Sequence, residues 1–139
     1  MSITVQCFVL CRSVTKEPGG PQTLERIFDQ TFTSRFPVKQ ACALHVRFVI
    51  SDRPKCTVCI VLESPTLVKG QILAPVPVNP NPNGLVQLTC NLNELVLPVE
   101  GIYTFRLLVD ERVCSVYYLA VVKRRERKAA QPPPASSNE

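Results

Sequence analysis

One corner with the strand behind it constrains this chain more than any other feature. It runs Leu97-Pro98-Val99-Glu100-Gly101-Ile102-Tyr103-Thr104-Phe105-Arg106-Leu107-Leu108-Val109-Asp110. Pro98 and Gly101 break whatever precedes them. From Ile102 onward, β-branched and aromatic residues suit a pleated, buried surface. Asp110-Glu111-Arg112 then turns the chain into Val113–Val122, a second strand of the same character. In a tyrosine corner, a Tyr near a strand start packs its ring and hydrogen-bonds the backbone upstream. Tyr103 is placed to do this, with Pro98 and Gly101 shaping the turn. The feature concerns architecture and carries no catalytic signature.

The rest of the chain repeats the theme of short β-rich runs between Pro, Gly and Asn breaks. Residues 3–14 alternate and read as a first strand. Lys16–Pro21 is a loop containing two prolines and two glycines. Thr23–Phe32 has some helical spacing, but Thr31, Phe32 and Thr33 favour a strand. Ala41–Ser51 is the clearest strand, with Cys42, Leu44, Val46, Phe48 and Ile50 on one face and Ala43, His45, Arg47 and Val49 on the other. Cys56–Glu63 is apolar on both faces, which suits a central strand. In Gly70–Val78, Pro75 and Pro77 remove ladder donors, so the segment belongs at an edge. Asn83-Gly84 favours a left-handed turn before Leu85–Leu92, and Asn93–Val96 could form one helical turn. Seven or eight such strands, without crossover helices, predict an all-β, antiparallel, immunoglobulin-like β-sandwich over residues 1–122.

Charge is concentrated at the C-terminal end. The 139 residues carry a net charge of +5. Lys123-Arg124-Arg125-Glu126-Arg127-Lys128 holds five basic residues and one acid. Without it and Glu139, residues 1–122 keep 11 basic and 9 acidic residues. That body is no general nucleic-acid surface. The basic run lacks aromatic interleaving for base stacking, and reads first as a solvated stop to strand pairing. Residues 129–139, with Pro132-Pro133-Pro134, have the composition of a disordered tail. The N-terminus lacks a basic n-region and a cleavage site, and no run approaches the ~18 apolar residues of a membrane helix. Seven cysteines at scattered spacings then read as free thiols in a reducing cytoplasm.

The reactive residue types do not assemble into a motif. Cys56-Thr57-Val58-Cys59 is a CxxC, but on a strand positions three apart face opposite sides, and no second pair recurs. Cys7 and Cys11 share a strand face roughly 13 Å apart, beyond disulfide reach. His45, the one histidine, falls on the polar face of its strand and reads as a surface residue, with no serine elbow or acid beside it. The glycines form no phosphate loop. No catalytic, metal or cofactor residue is assigned.

The pattern Leu97-Pro98-x-x-Gly101-x-Tyr103-x-Phe105-x-Leu107-x-Val109-Asp110 resembles the closing hairpin of a family of small uncharacterised bacterial β-sandwich proteins. Ile102 separates Gly101 from Tyr103 here, where that family has a Gly-Tyr pair. The resemblance extends over residues 3–122. It implies a small bacterial, cytoplasmic sandwich and transfers no functional residues. The cysteine load and the basic tail depart from it.

These readings lead to a non-enzymatic protein-binding or accessory module with an unidentified protein partner. The expected contacts are Phe36 in its loop, Pro75 and Pro77 on the edge segment, and Lys123, Arg124, Arg125, Arg127 and Lys128 in the tail. The two-sided apolar strands also allow homodimerisation through a sheet face. Three alternatives stand beside it: a small structural subunit of a larger assembly such as a phage or defence complex, a thiol-based redox protein, and nucleic-acid binding through the tail.

Overall fold

The alternation and the breaks both become structure. In a computed structural model, which describes residues 2–124, the described residues form nine strands and no helix. They are β1 (Ile3–Lys16), β2 (Gln22–Ile27), β3 (Gln30–Thr33), β4 (Val38–Ile50), β5 (Cys56–Glu63), β6 (Lys69–Val78), β7 (Leu85–Leu97), β8 (Gly101–Val109) and β9 (Arg112–Lys123). They build a four-stranded sheet in the order β2-β1-β4-β7 and a five-stranded sheet in the order β3-β9-β8-β5-β6. All pairings are antiparallel except β3 with β9, which is parallel.

Both sheets contribute to one core. Phe8, Leu10, Leu44, Val46, Phe48 and Ile50 from one join Val58, Ile60, Tyr103, Phe105, Leu107 and Leu119 from the other in a single cluster. The alternation expected of Ala41–Ser51 is what delivers Cys42 through Ile50 to it. β5 lies inside its sheet and β6 at the edge, as their compositions required.

The strand count departs from seven or eight because the expected strand Thr23–Phe32 is two. Phe28 and Asp29 interrupt it. The Phe28 amide donates to the Leu10 carbonyl, and the Ala120 amide donates to the Asp29 carbonyl. The chain thus steps from the edge of one sheet to the edge of the other. That step makes β3 parallel to β9, so the expectation of a wholly antiparallel fold is corrected.

The helical turn expected at Asn93–Val96 does not form. β4 runs thirteen residues and offers backbone partners as far as Val38 opposite Leu97. A register shift between Gln40 and Cys42 absorbs the polar Asn93-Glu94 pair. Leu95 and Leu97 then return to the core.

The corner forms as expected. The Tyr103 hydroxyl donates to the Val99 carbonyl at 2.6 Å and accepts from the Val99 amide at 3.0 Å. Gly101 takes φ 134°, and a Cβ there would meet the Pro65 ring at 2.7 Å. The turn after β8 has two residues, Asp110 (φ 50°) and Glu111 (φ 69°). Both are left-handed, as a tight hairpin with the natural strand twist requires. Asp110 is held in place. Its Oδ1 accepts from the Thr57 amide at 2.9 Å, and its Oδ2 accepts from Arg53.

Candidate functional site

With the inner faces consumed by the core, the two outer faces and the edges are what the sheets present outward. The two outer faces differ.

The outer face of the four-stranded sheet carries Cys7, Val9 and Cys11 from β1, Ala43, His45 and Arg47 from β4, and Gln87, Thr89 and Asn91 from β7, paired across the sheet. Cys11, Ala43 and His45 are nonetheless buried. The covering is the chain's own β1–β2 hairpin. Gln22, opposite Lys16 near its tip, accepts a hydrogen bond from Gln87 on the far edge strand. Along a straight β1, Lys16 and Cys7 would lie about 30 Å apart. The contact therefore requires the hairpin to fold back across the sheet. The bend comes where β1 and β2 lose regular pairing between Cys11 and Ser13, beside Arg26 at φ 58°. Val14 and Leu24 oppose each other on the hairpin and are half-buried outside the shared core.

A polar clasp fastens this arm. Arg47 donates from Nε to Gln6 Oε1 and from Nη1 to Gln87 Oε1, each at 2.7 Å. Gln87 then reaches Gln22. Beneath it, His45 Nδ1 lies 2.9 Å from the Thr89 hydroxyl. The surface histidine expected from the alternation is thus a buried one, because a second layer of the same chain lies over the polar face. Burial, with the Arg47 charge as a lesser cause, holds its pKa below the usual imidazole value. The histidine is therefore kept neutral. Single-strand alternation could not reveal this covering. The hint available was the length of the Lys16–Pro21 loop between two runs able to pair.

The outer face of the five-stranded sheet has no such cover among the described residues. Register places Ile102 beside Ala120, Thr104 beside Tyr118, Arg106 beside Val116 and Leu108 beside Val113. Phe32 extends the row beside Val122 on β3. Ile102, Val113, Tyr118 and Phe32 are each more than half exposed, and Val116 and Val122 are over a third exposed. The charge within the patch is neutralised internally: Arg106 donates to Glu63 at 2.5 Å. Apolar residues this exposed and this contiguous mark an interaction surface more often than they occur by chance.

The residues expected from sequence to meet a partner are scattered. Pro75 and Pro77 are exposed on edge strand β6. Phe36 packs against the core, and so anchors its loop. Lys123 ends β9 and is exposed. Arg124 stands 5.2 Å over the Phe32 ring, and its amide donates to the Thr33 carbonyl. Arg125, Arg127 and Lys128, with the expected disordered tail, lie outside the described residues. Of the expected contacts among the described residues, only Arg124 joins the apolar face.

All seven cysteines are free. Burial raises the thiol pKa of Cys7, Cys11, Cys56 and Cys90, and takes Cys42 to about 11. Such thiols are poor nucleophiles at neutral pH. Cys56 points into the core and Cys59 away from it, as strand alternation required of the CxxC. No group of three potential metal ligands comes together among the described residues. A cleft of about 900 Å3 lies at the hairpin bend between Arg12, Arg26 and Lys39, with Glu25 among them. Its charged side chains are all exposed. No helix among the described residues is long and apolar enough to cross a membrane.

A family model for a family of unknown function, DUF6941, matches residues 6–122. The chain belongs to that family. The match spans β1 through nearly all of β9, so both outer faces lie within it. No curated protein matches the sequence.

Proposed function

We propose that this member of the family is a non-enzymatic protein-binding module, an immunoglobulin-like sandwich whose recognition surface is the outer face of the five-stranded sheet. One observation carries the reading: Phe32, Ile102, Val113, Val116, Tyr118 and Val122 are exposed together on one sheet face. The opposite sheet's outer face is sheltered by the chain's own hairpin. A partner of apolar surface fits better than a charged one, because Arg106 and Glu63 already satisfy each other. Arg124, stacked on Phe32 at the rim, adds a cation there. Raised thiol pKa values weigh against the redox alternative. Free cysteines throughout suit a reducing, cytoplasmic setting, and the resemblance of the closing hairpin supports a bacterial origin.

The test is affinity capture from the source cell with the wild-type chain and with Ile102→Lys/Tyr118→Lys, both exposed positions. A stoichiometric protein should be retained by the wild type and lost by the variant. Identical retained sets would sink the proposal.

A further inference from the structure

Two open sheets have four edges, and an edge strand presents a row of unpaired amides and carbonyls. Three of the four are blunted here. β6 carries Pro75 and Pro77, and its pairing with β5 shifts register twice. β3 is four residues long. β2 is six residues long, with Arg26 at φ 58° near its end, and the chain leaves it for the other sheet. The fourth edge is β7. It runs thirteen residues from Leu85 to Leu97 without a proline and without a residue at positive φ. Its single charge is Glu94. Among the described residues its backbone bonds only to β4 and, at Leu85, to Asn81 of the preceding turn.

We infer that β7 is the edge to which a second copy of this chain adds, antiparallel, merging two four-stranded sheets into one of eight. The strand is self-complementary. A two-fold axis normal to the sheet at Thr89 would set Thr89 against itself, Gln87 against Asn91, Leu88 against Cys90 and Val86 against Leu92. Each pair falls on one face. Gln87 and Asn91 are exposed on the outer face, while Val86 is buried and Leu88, Cys90 and Leu92 half-buried toward the core. The apolar stripe of one copy thus continues into that of the other, and a Thr–Thr pair is a favourable cross-strand neighbour. From Leu85 to Asn93 there is no charge to repel its own image. That neutrality, with an apolar inner stripe, favours a second copy over an unrelated peptide selected by charge.

This inference is independent of the proposed binding face, and the experiment keeps them apart. Sedimentation of the full chain at high micromolar concentration should give twice the 15.5 kDa chain mass. Hydrogen exchange of β7 amides should accelerate on dilution, while those of β8 stay protected. Leu88→Lys places a charge pointing inward on the edge, a device by which natural edges refuse partners. It should raise the dissociation constant at least about tenfold, a difference of roughly 1.4 kcal/mol, with the circular dichroism unchanged. Asn91→Lys, at an exposed position, gives the same direction should Leu88→Lys disturb the fold. A single-chain mass at every concentration would overturn the inference, as would β7 exchange independent of dilution. So would a dimer broken by Tyr118→Lys and untouched by both β7 variants, an outcome that leaves the binding face standing.

Discussion

The outer faces of the two sheets differ both in composition and in what covers them. β4 places Ala43, His45 and Arg47 outward, and β9 places Val116, Tyr118 and Val122 outward. The first face is the more polar of the two by sequence, yet it is the covered one. The second is richer in large apolar groups, yet it stays open. Polarity therefore does not decide which face of this fold meets solvent. The hairpins do. The β1–β2 hairpin is long, bends at Arg26 and lies back over its own sheet. The β8–β9 hairpin closes in two residues and stays in plane. An apolar face left exposed while a polar one is sheltered is the contrast on which the proposed binding role rests.

Paired substitutions should break this contrast first. Ala43→Glu would bury a carboxylate under the arm, where nothing pairs with it. It should destabilise by about 3–5 kcal/mol in urea titration. Tyr118→Glu, the same charge on the open face, should shift stability by no more than about 0.5 kcal/mol. Equal losses would mean that the two faces are equally covered. Arg47→Met next removes both charged hydrogen bonds of the clasp. It should cost about 1.5–3 kcal/mol, with faster hydrogen exchange confined to Thr15–Leu24. Unchanged exchange would show that the arm lies down without the clasp.

The His45 titration sharpens the contrast further. Its pKa is lowered in the folded chain, so below about 6.5 the unfolded chain binds the proton first. Stability is therefore fully present above that value and falls as the pH drops through it toward the folded pKa. His45→Gln should flatten that segment of the stability profile, and a profile unaltered by the substitution would place the histidine in solvent. The smallest effect lies in the other hairpin. Glu111→Gly relieves a left-handed non-glycine residue and should stabilise by about 0.5–1 kcal/mol in thermal melts.

Much of this fold was legible locally. Strand alternation located the core face of β4, the prolines marked β6 as an edge, and the Pro98–Tyr103 spacing anticipated the hydrogen bonds to Val99. What escaped depended on segments distant in sequence. His45 follows the alternation rule and still ends up buried, because its neighbour in space is a hairpin tip more than twenty residues earlier. Asn93 and Glu94 have turn chemistry, but thirteen residues of β4 opposite them offer a ladder that outweighs it. Thr23–Phe32 reads as one run because nothing in it announces that Phe28 and Asp29 will find partners in different sheets. The open apolar face was missed for a related reason. Ile102, Val116 and Tyr118 look like core in a strand apolar on both sides, and only the absence of a second layer among the described residues makes them a surface. The expected contacts at Phe36, Pro75 and Pro77 came from reading loops and edges one at a time.

The step at Phe28-Asp29 has a consequence for growth. By carrying the chain from one sheet to the other, it closes that flank of the molecule to incoming strands, and prolines obstruct β6 on the opposite flank. Among the described residues β7 is then the one unobstructed edge, and the inferred pairing would give each molecule a valence of one. Units with two open flanks join head to tail and propagate into fibres, whereas units with one can only pair and stop. If β7 pairs as inferred, a β-rich chain that exposes a long bare strand would keep its assembly finite through two residues that belong to neither sheet.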